Sequence, residues 1–194
     1  MRLLLLTAFV AFSSTHFLTH NLIDESVAAV LQDDVIILNS FPKAGRYVDP
    51  TGKEFLYGIT RTTVINNSET PLQVTIDFPA DSFAILESSV VRTSYLKLFT
   101  PPDTIQFDNI PFDKSSWYVN DRLKPFFDSG LKSSTRIQKN IGSKKDCTFY
   151  VGALYYQTGG VPTAELIMQG QNLFFRAGAV SSELFPCGKI TQMH

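Results

Sequence analysis

Histidine is missing from the patterned interior of this chain: His16 and His20 stand near the start, and His194 is the last residue. Ser-His-Asp and Cys-His nucleophile systems need an imidazole to take the proton, so both are excluded in practice. Zinc and copper sites built on histidine fall with them. Cysteine is scarce too, with only Cys147 and Cys187 present, too few to hold a metal on their own. No Walker loop and no GxGxxG follows a strand pattern, and Gly159-Gly160 lies in an expected hairpin turn with no helix after it, so it makes no phosphate cradle. Charge is sparse: charged residues are 18% of the chain and the formal net charge is -1. Such a surface has no field to steer nucleic acid or an anionic membrane. These absences predict no metal, no cofactor and no nucleic-acid partner.

Aromatic residues are plentiful by contrast, with 16 Phe and 7 Tyr among 194 residues. Rings favour strands and fill sandwich cores, so the plainest meaning of this richness is β structure. The length suits a single domain, 21–194, preceded by a leader. That leader is MRLLLLTAFVAFSS, in which Arg2 is a positive n-region, Leu3 to Phe12 an apolar run, and Ala11 with Ser13 a small-x-small cleavage pattern. The run is about half of the roughly 20 residues a membrane span needs. A signal peptide over 1–13, cleaved somewhere within 13–20, is expected, and with it a secreted or periplasmic location and a mature chain without a transmembrane segment. In an oxidising compartment two cysteines pair more often than they react. A Cys147–Cys187 disulfide is therefore expected.

The clearest pattern is ITRTTVINNSETPLQVTIDF, Ile59 to Phe78: strand, polar turn, strand. Leu72, Val74, Ile76 and Phe78 alternate with Gln73, Thr75 and Asp77, which predicts one buried and one wet face. This stretch is expected to be the core strand pair, joined as a hairpin at Asn66-Asn67-Ser68-Glu69. Asn66-Asn67-Ser68 is also a glycosylation sequon, which would put its loop on the surface. Asp49-Pro50-Thr51-Gly52 has the preferences of a type I turn and predicts a hairpin between Tyr47 and Phe55 to Ile59. Its acidic residues match no calcium loop. Further strands are expected at Val35 to Leu38, Tyr95 to Phe99, Thr104 to Phe107, Thr135 to Ile141 and Cys147 to Gln157, the last apolar on both faces like a central strand. Thr163 to Met168 and Leu173 to Val180 complete a meander with it. SVAAVL after Asp24 reads as a short helix, PADSFAILESS as a loop, and RLKPFFDS after Asp121 as one short helix inserted between strands. Eight to ten strands without βαβ alternation predict an all-β, antiparallel, immunoglobulin-like sandwich with that single inserted helix; a closed barrel fits the varied turns less well.

Two clusters bear on function. Trp117, Tyr118, Phe126 and Phe127 concentrate aromatic area in the irregular segment, a candidate binding surface whose plainer role is to cover an open end of the sandwich. Arg136, Lys139, Lys144 and Lys145 form a local basic patch that reads as a solvated strand and turn. Asp77, Asp81, Glu87, Asp103 and Glu165 could serve carboxylate chemistry only if two of them met across a cleft, and no spacing pairs them. The segments TRTTVINNSETPLQVTIDFPADSFAI, YLKLFTPPDT, CTFYVGALYY, QNLFFRAGAV and FPCG together resemble an uncharacterised family of secreted β-sandwich proteins from Bacteroidetes-type bacteria. That resemblance covers most of the mature chain and implies no activity. The expectation is a secreted, non-enzymatic sandwich that binds a protein or cell-surface component. Its alternatives are a carrier holding an apolar small molecule in an aromatic-lined cavity, and a carboxylate-based glycan hydrolase.

Overall fold

The computed structural model describes residues 28–32, 34–81, 83–86, 93–102, 123–156, 164–177 and 184–193. Within them twelve strands build two antiparallel sheets. They are β1 (Ala28–Gln32), β2 (Val35–Asn39), β3 (Lys43–Val48), β4 (Glu54–Asn66), β5 (Leu72–Phe78), β6 (Phe83–Leu86), β7 (Thr93–Phe99), β8 (Thr135–Ile141), β9 (Lys145–Tyr156), β10 (Ala164–Gln169), β11 (Asn172–Ala177) and β12 (Leu184–Gln192). One helix, α1 (Lys124–Ser129), runs into a 3-10 turn over Gly130–Lys132. The larger sheet is ordered β1-β2-β4-β9-β7-β6, with β3 also on β4, and the smaller is β10-β11-β12-β5-β8. The all-β sandwich with one short helix is thus present. The leader, the expected strand at Thr104 to Phe107, and Trp117 and Tyr118 lie outside the described residues.

Two cores follow from the alternation of side chains. Val64, Leu96, Leu98, Phe149, Val151, Ala153 and Tyr155 point from the larger sheet toward Val74, Ile76, Phe78, Leu166, Leu173 and Phe175 of the smaller one. The intervening residues of the larger sheet carry a second apolar cluster on its outer face, where Tyr47, Tyr57, Ile59, Phe99 and Leu154 meet Leu123 and Phe127. This explains why β9 is apolar on both faces: it lies between β4 and β7 and is covered on both sides.

The Ile59 to Phe78 stretch is corrected by this arrangement. β4 and β5 both form, yet they do not pair with each other. β4 bonds β9, β2 and β3, whereas β5 bonds β8 and β12 in the other sheet. Asn66 makes the crossing. Its side chain is buried and donates to Thr70 O (2.9 Å) and Gly142 O (3.0 Å), while its Oδ1 accepts from Ser68 N (2.9 Å) and Ser68 Oγ (2.7 Å). The amide thereby fixes the 66–72 link and also grips the 141–145 link, which likewise changes sheets between β8 and β9. The sequon asparagine is consequently no surface acceptor. A second buried amide, Asn39, spans the sheets by donating to Leu166 O (3.0 Å) and accepting from Leu166 N (3.2 Å).

Other local expectations divide in the same way. The 49–52 turn is present, with Gly52 N on Asp49 O at 2.9 Å and Gly52 at φ +85° closing a three-residue hairpin between β3 and β4. Gly170, at φ +61°, takes the first central position of the two-residue turn between β10 and β11, a type II′ requirement. The meander, however, is β10-β11-β12, because β9 belongs to the other sheet. Residues 28–32 are a strand rather than a helix, and residues 83–86 are a strand rather than a loop. Both are short edge strands of the larger sheet, paired only with the next strand along the chain, β2 and β7, and too short for their period to decide between strand and helix or loop.

The disulfide is corrected as well: both cysteines are free thiols. Cys147 sits on β9 and Cys187 on β12, in different sheets. Sandwiches can carry a disulfide between sheets, but it needs the two Cα atoms within roughly 4.4–6.8 Å, and here the thiols stay unbonded. Cys187 is buried and Cys147 half-buried. In a thiol-reagent titration, two equivalents of thiol should appear after unfolding without reductant. In the native state Cys147 should react first; a count of zero in the unfolded chain would show that the pair does bond.

Candidate functional site

At the end of the larger sheet where β4 begins, four aromatic residues stand in a row across four adjacent strands. Tyr47 of β3 is opposite Phe55 of β4, and Tyr156 of β9 is opposite Tyr95 of β7. The gap between the two pairs closes through the Phe55–Tyr156 ring contact at 5.4 Å. Neighbouring strands lie about 4.8 Å apart, so the row is roughly 14 Å long. All four side chains face outward, away from the smaller sheet, because residues alternate along each strand.

Helix α1 forms the wall above this floor. Six residues are too few for an independent helix, so packing holds it. Leu123 and Phe127, one turn apart, are buried, and Phe127 packs on Tyr47 (5.0 Å), Tyr57 (5.4 Å) and Phe99 (5.4 Å). Pro125 sits in the first turn, where a missing N–H costs little. The Lys124–Asp128 ion pair (2.8 Å) spans one turn, and the Tyr47 hydroxyl donates to Asp128 Oδ1 at 2.7 Å, tying helix to sheet.

Between floor, helix and the 49–52 turn lies a pocket of about 400 Å³, lined by residues including Tyr47, Thr51, Phe55, Tyr95, Lys97, Phe127, Asp128, Lys132 and Tyr156. Tyr95 is 47% exposed, an unusual state for so large a ring, and it opens the pocket to solvent. Lys53 Nζ stands 3.5 Å from the centre of the Tyr156 ring, a cation–π contact. Lys97 is only 6% exposed. Its Nζ donates to Ala80 O at 2.6 Å and to Pro79 O. Burial lowers the Lys97 pKa, and the charge of Asp81 partly offsets that. Asp49 and Asp128 are both held below the usual carboxylate range, Asp49 first by its bond from Thr51 and Asp128 first by Lys124. Both accept bonds from the chain itself: Asp49 Oδ1 takes Thr51 N, Thr51 Oγ1 and Lys53 N, while Asp128 takes Tyr47 and Lys124.

Of the sequence-predicted surface, Phe127 belongs to this pocket and to the outer core, chiefly as packing. Phe126 turns to the other side of the helix. There it borders a more polar cleft of about 490 Å³ between β8 and β9, lined by Thr100, Thr135, Gln138, Lys139 and Thr148 among others. Arg136 pairs with Asp77 at 3.4 Å and Lys144 with Glu69 at 3.0 Å, so half of the basic patch is neutralised on the surface. Glu165 is likewise engaged by Arg176. The residues that sequence reasoning missed are Tyr47, Phe55, Tyr95, Tyr156 and Lys97. They come from four strands, and only the register brings them together. Comparison with protein-family models, curated proteins and solved structures finds no match to the chain.

Burial of phenols and thiols gives the fold a pH signature. Burial raises the pKa of Tyr57 and Tyr155 above the ordinary 10.0; it also raises Tyr47, where the Asp128 bond adds to it. The Cys187 thiol is pushed up to about 12 by the same cause, and Cys147 is raised too. An acid whose folded pKa is raised stays protonated in the native state while the unfolded chain ionises. Stability is therefore whole below the unfolded values, near 9.0 for thiols and 10.0 for phenols, and falls as pH rises past them. Lys97 has the opposite sign, since its depressed folded pKa lets stability rise with pH, but it is one group against several. Denaturant midpoints should drop steadily from about pH 9 upward, by up to about 1.4 kcal/mol per pH unit for each group held protonated. A flat profile to about pH 11 would show that these groups ionise freely in the fold.

Proposed function

We propose that this chain is a non-enzymatic, exported binding domain that recognises a ring-bearing group on a cell-surface component through the aromatic pocket. The carrying observation is the outward row Tyr47-Phe55-Tyr156-Tyr95, ending in a half-exposed Tyr95 ring inside a cleft of about 400 Å³. That size suits a small-ligand site, and its mix of aromatic walls with a few polar groups is what such sites use. Aromatic rings on a rigid sheet lose little entropy on binding, which favours them as anchors. A ring seated against Tyr95 keeps one side toward solvent. This supports a ligand that stays attached to something larger over the sealed cavity of a carrier. The aliphatic and aromatic interior between the sheets is filled by the chain's own side chains.

A thermal-shift screen of glycans and aromatic compounds on wild type and Tyr95→Ala tests this. A ligand present at about 100 times its Kd stabilises by about 2.7 kcal/mol, a readily visible rise in Tm. Tyr95→Ala should keep a melting point near wild type, because the side chain is half-exposed, and should lose the ligand-induced rise. A ligand that stabilises Tyr95→Ala as much as wild type would overturn the site.

A further inference from the structure

The pocket's charge selects among ring-bearing ligands, and on the foregoing reading of the site we infer that its ligand is an acidic sugar residue, a pyranose carrying a carboxylate. Three ammonium groups converge here: Lys97 in the pocket, Lys132 on its wall and Lys53 over Tyr156. Among the described residues none of the three forms an ion pair, whereas Lys124 does, with Asp128. Three carboxylates lie close by: Asp128 is paired with Lys124, Asp49 accepts only neutral donors from Thr51 and the Lys53 amide, and Asp81 acts on Lys97 through its charge. With Lys124 and Asp128 paired, Lys53, Lys97 and Lys132 face Asp49 and Asp81, which leaves one cation in excess. Lys97 is the sharpest instance. It is more than nine-tenths buried, held by two neutral carbonyl oxygens and only partly offset by the charge of Asp81, an incomplete compensation for an ammonium taken out of water. A ligand carboxylate would supply the missing counter-charge.

The ring chemistry follows from the same geometry. Lys53 already covers the Tyr156 face, which leaves Tyr95 as the open platform. The negative face of a phenol ring attracts the weakly positive C–H groups on one face of a pyranose. The hydroxyls of a sugar need partners around the rim. Thr51 Oγ1 and the Lys132 ammonium can serve them, and a purely aromatic acid would leave them idle. Ring stacking and charge are separable, so each can be removed alone.

Isothermal titration with trigalacturonate and with its neutral counterpart, trigalactose, reads the charge term, and 2-naphthoate serves as the aromatic acid. Trigalacturonate should bind at least about tenfold more tightly than trigalactose, a difference of about 1.4 kcal/mol. The preference should shrink as salt is raised to about 0.5 M. Lys53→Met, at an exposed position, and Lys97→Met should each cut the acidic-over-neutral ratio severalfold; the thermal midpoint of each variant reports whether it is folded. Tyr95→Ala should weaken both sugars together. Equal binding of acidic and neutral sugars would overturn the acidic-sugar inference and leave the aromatic site standing. Binding of 2-naphthoate without trigalacturonate would also overturn it. Failure of both sugars and of 2-naphthoate to bind, with Tyr95 intact, would overturn the inference together with the site.

Discussion

Replacing Asn66 by alanine should destabilise the protein by roughly 3 kcal/mol, with Asn66→Asp at least as damaging. The residue is buried and serves both sheet-crossing links at once. Alanine removes the donor to Thr70 O and Gly142 O and the acceptor for Ser68 N and Oγ, although Thr70 O keeps Ser68 Oγ and Gly142 O keeps Lys145 N. Each such bond contributes about 1 kcal/mol, so losing all of them together sets the scale of the effect. Aspartate keeps the acceptor for Ser68 but aims a second oxygen at two carbonyl oxygens. Asn67→Ala, one residue on and exposed, should fall within about 0.5 kcal/mol of wild type. Urea denaturation of the three variants measures the series. If Asn66→Ala matched Asn67→Ala, the crossing would not depend on this amide, and the sequon's surface role would return.

The second large effect is expected at Gly188, where alanine should cost at least about 3 kcal/mol or prevent folding. A Cβ there would lie 2.0 Å from Thr75 O and 2.9 Å from Ile76 Cα, backbone atoms of β5 that cannot swing aside. Gly188 pairs with Ile76 just beyond an irregularity in the β11–β12 register, where β12 presses closest to β5. Opening that approach would loosen the centre of the smaller sheet. Two other glycines separate contact from conformation. Gly142→Ala meets only Lys145 Cγ at 3.5 Å and should be nearly neutral. Gly170→Ala has open space but a φ of +61°, so it should lose about 1 kcal/mol through backbone strain alone. Soluble yield and urea midpoints distinguish the three. A Gly188→Ala protein as stable as Gly142→Ala would mean that β5 and β12 pack less closely than this structure has them.

The local signals were legible and the long-range ones were not. The alternation Leu72-Val74-Ile76-Phe78 marked a one-sided strand correctly, and the double-sided apolarity of Cys147 to Tyr156 marked a central one. Turn chemistry at Asp49 to Gly52 marked one hairpin correctly. What failed was the inference from adjacency to pairing at the 66–72 link and in the meander with β9. Strands β4 and β5, and β8 and β9, are joined by short polar links that look like hairpin turns, yet each pair divides between sheets. The deciding groups are single buried amides, Asn66 above all, whose partners come from residues 4 and 76 positions away. The expected disulfide rested on the compartment that the leader predicts, and a compartment does not say whether the fold brings two thiols together. The candidate site was hidden for a related reason. Attention to contiguous aromatics favours Phe126 and Phe127, but the floor beneath Phe127 is assembled by register from four strands, one ring from each. The outward-facing rings of β4 and β9 were nonetheless a usable clue, because a strand apolar on both faces requires a second cover.

The most direct test of the aromatic pocket as the binding site is a map of backbone amide shifts in the 15N-labelled protein as trigalacturonate, or whichever ring-bearing ligand the thermal screen returns, is added. The changes should gather on Thr51, Phe55, Tyr95, Lys97, Leu131 and Tyr156, and should vanish in Tyr95→Ala. A map centred instead on the polar cleft at Thr135 to Lys139, with the aromatic row silent, would contradict the account.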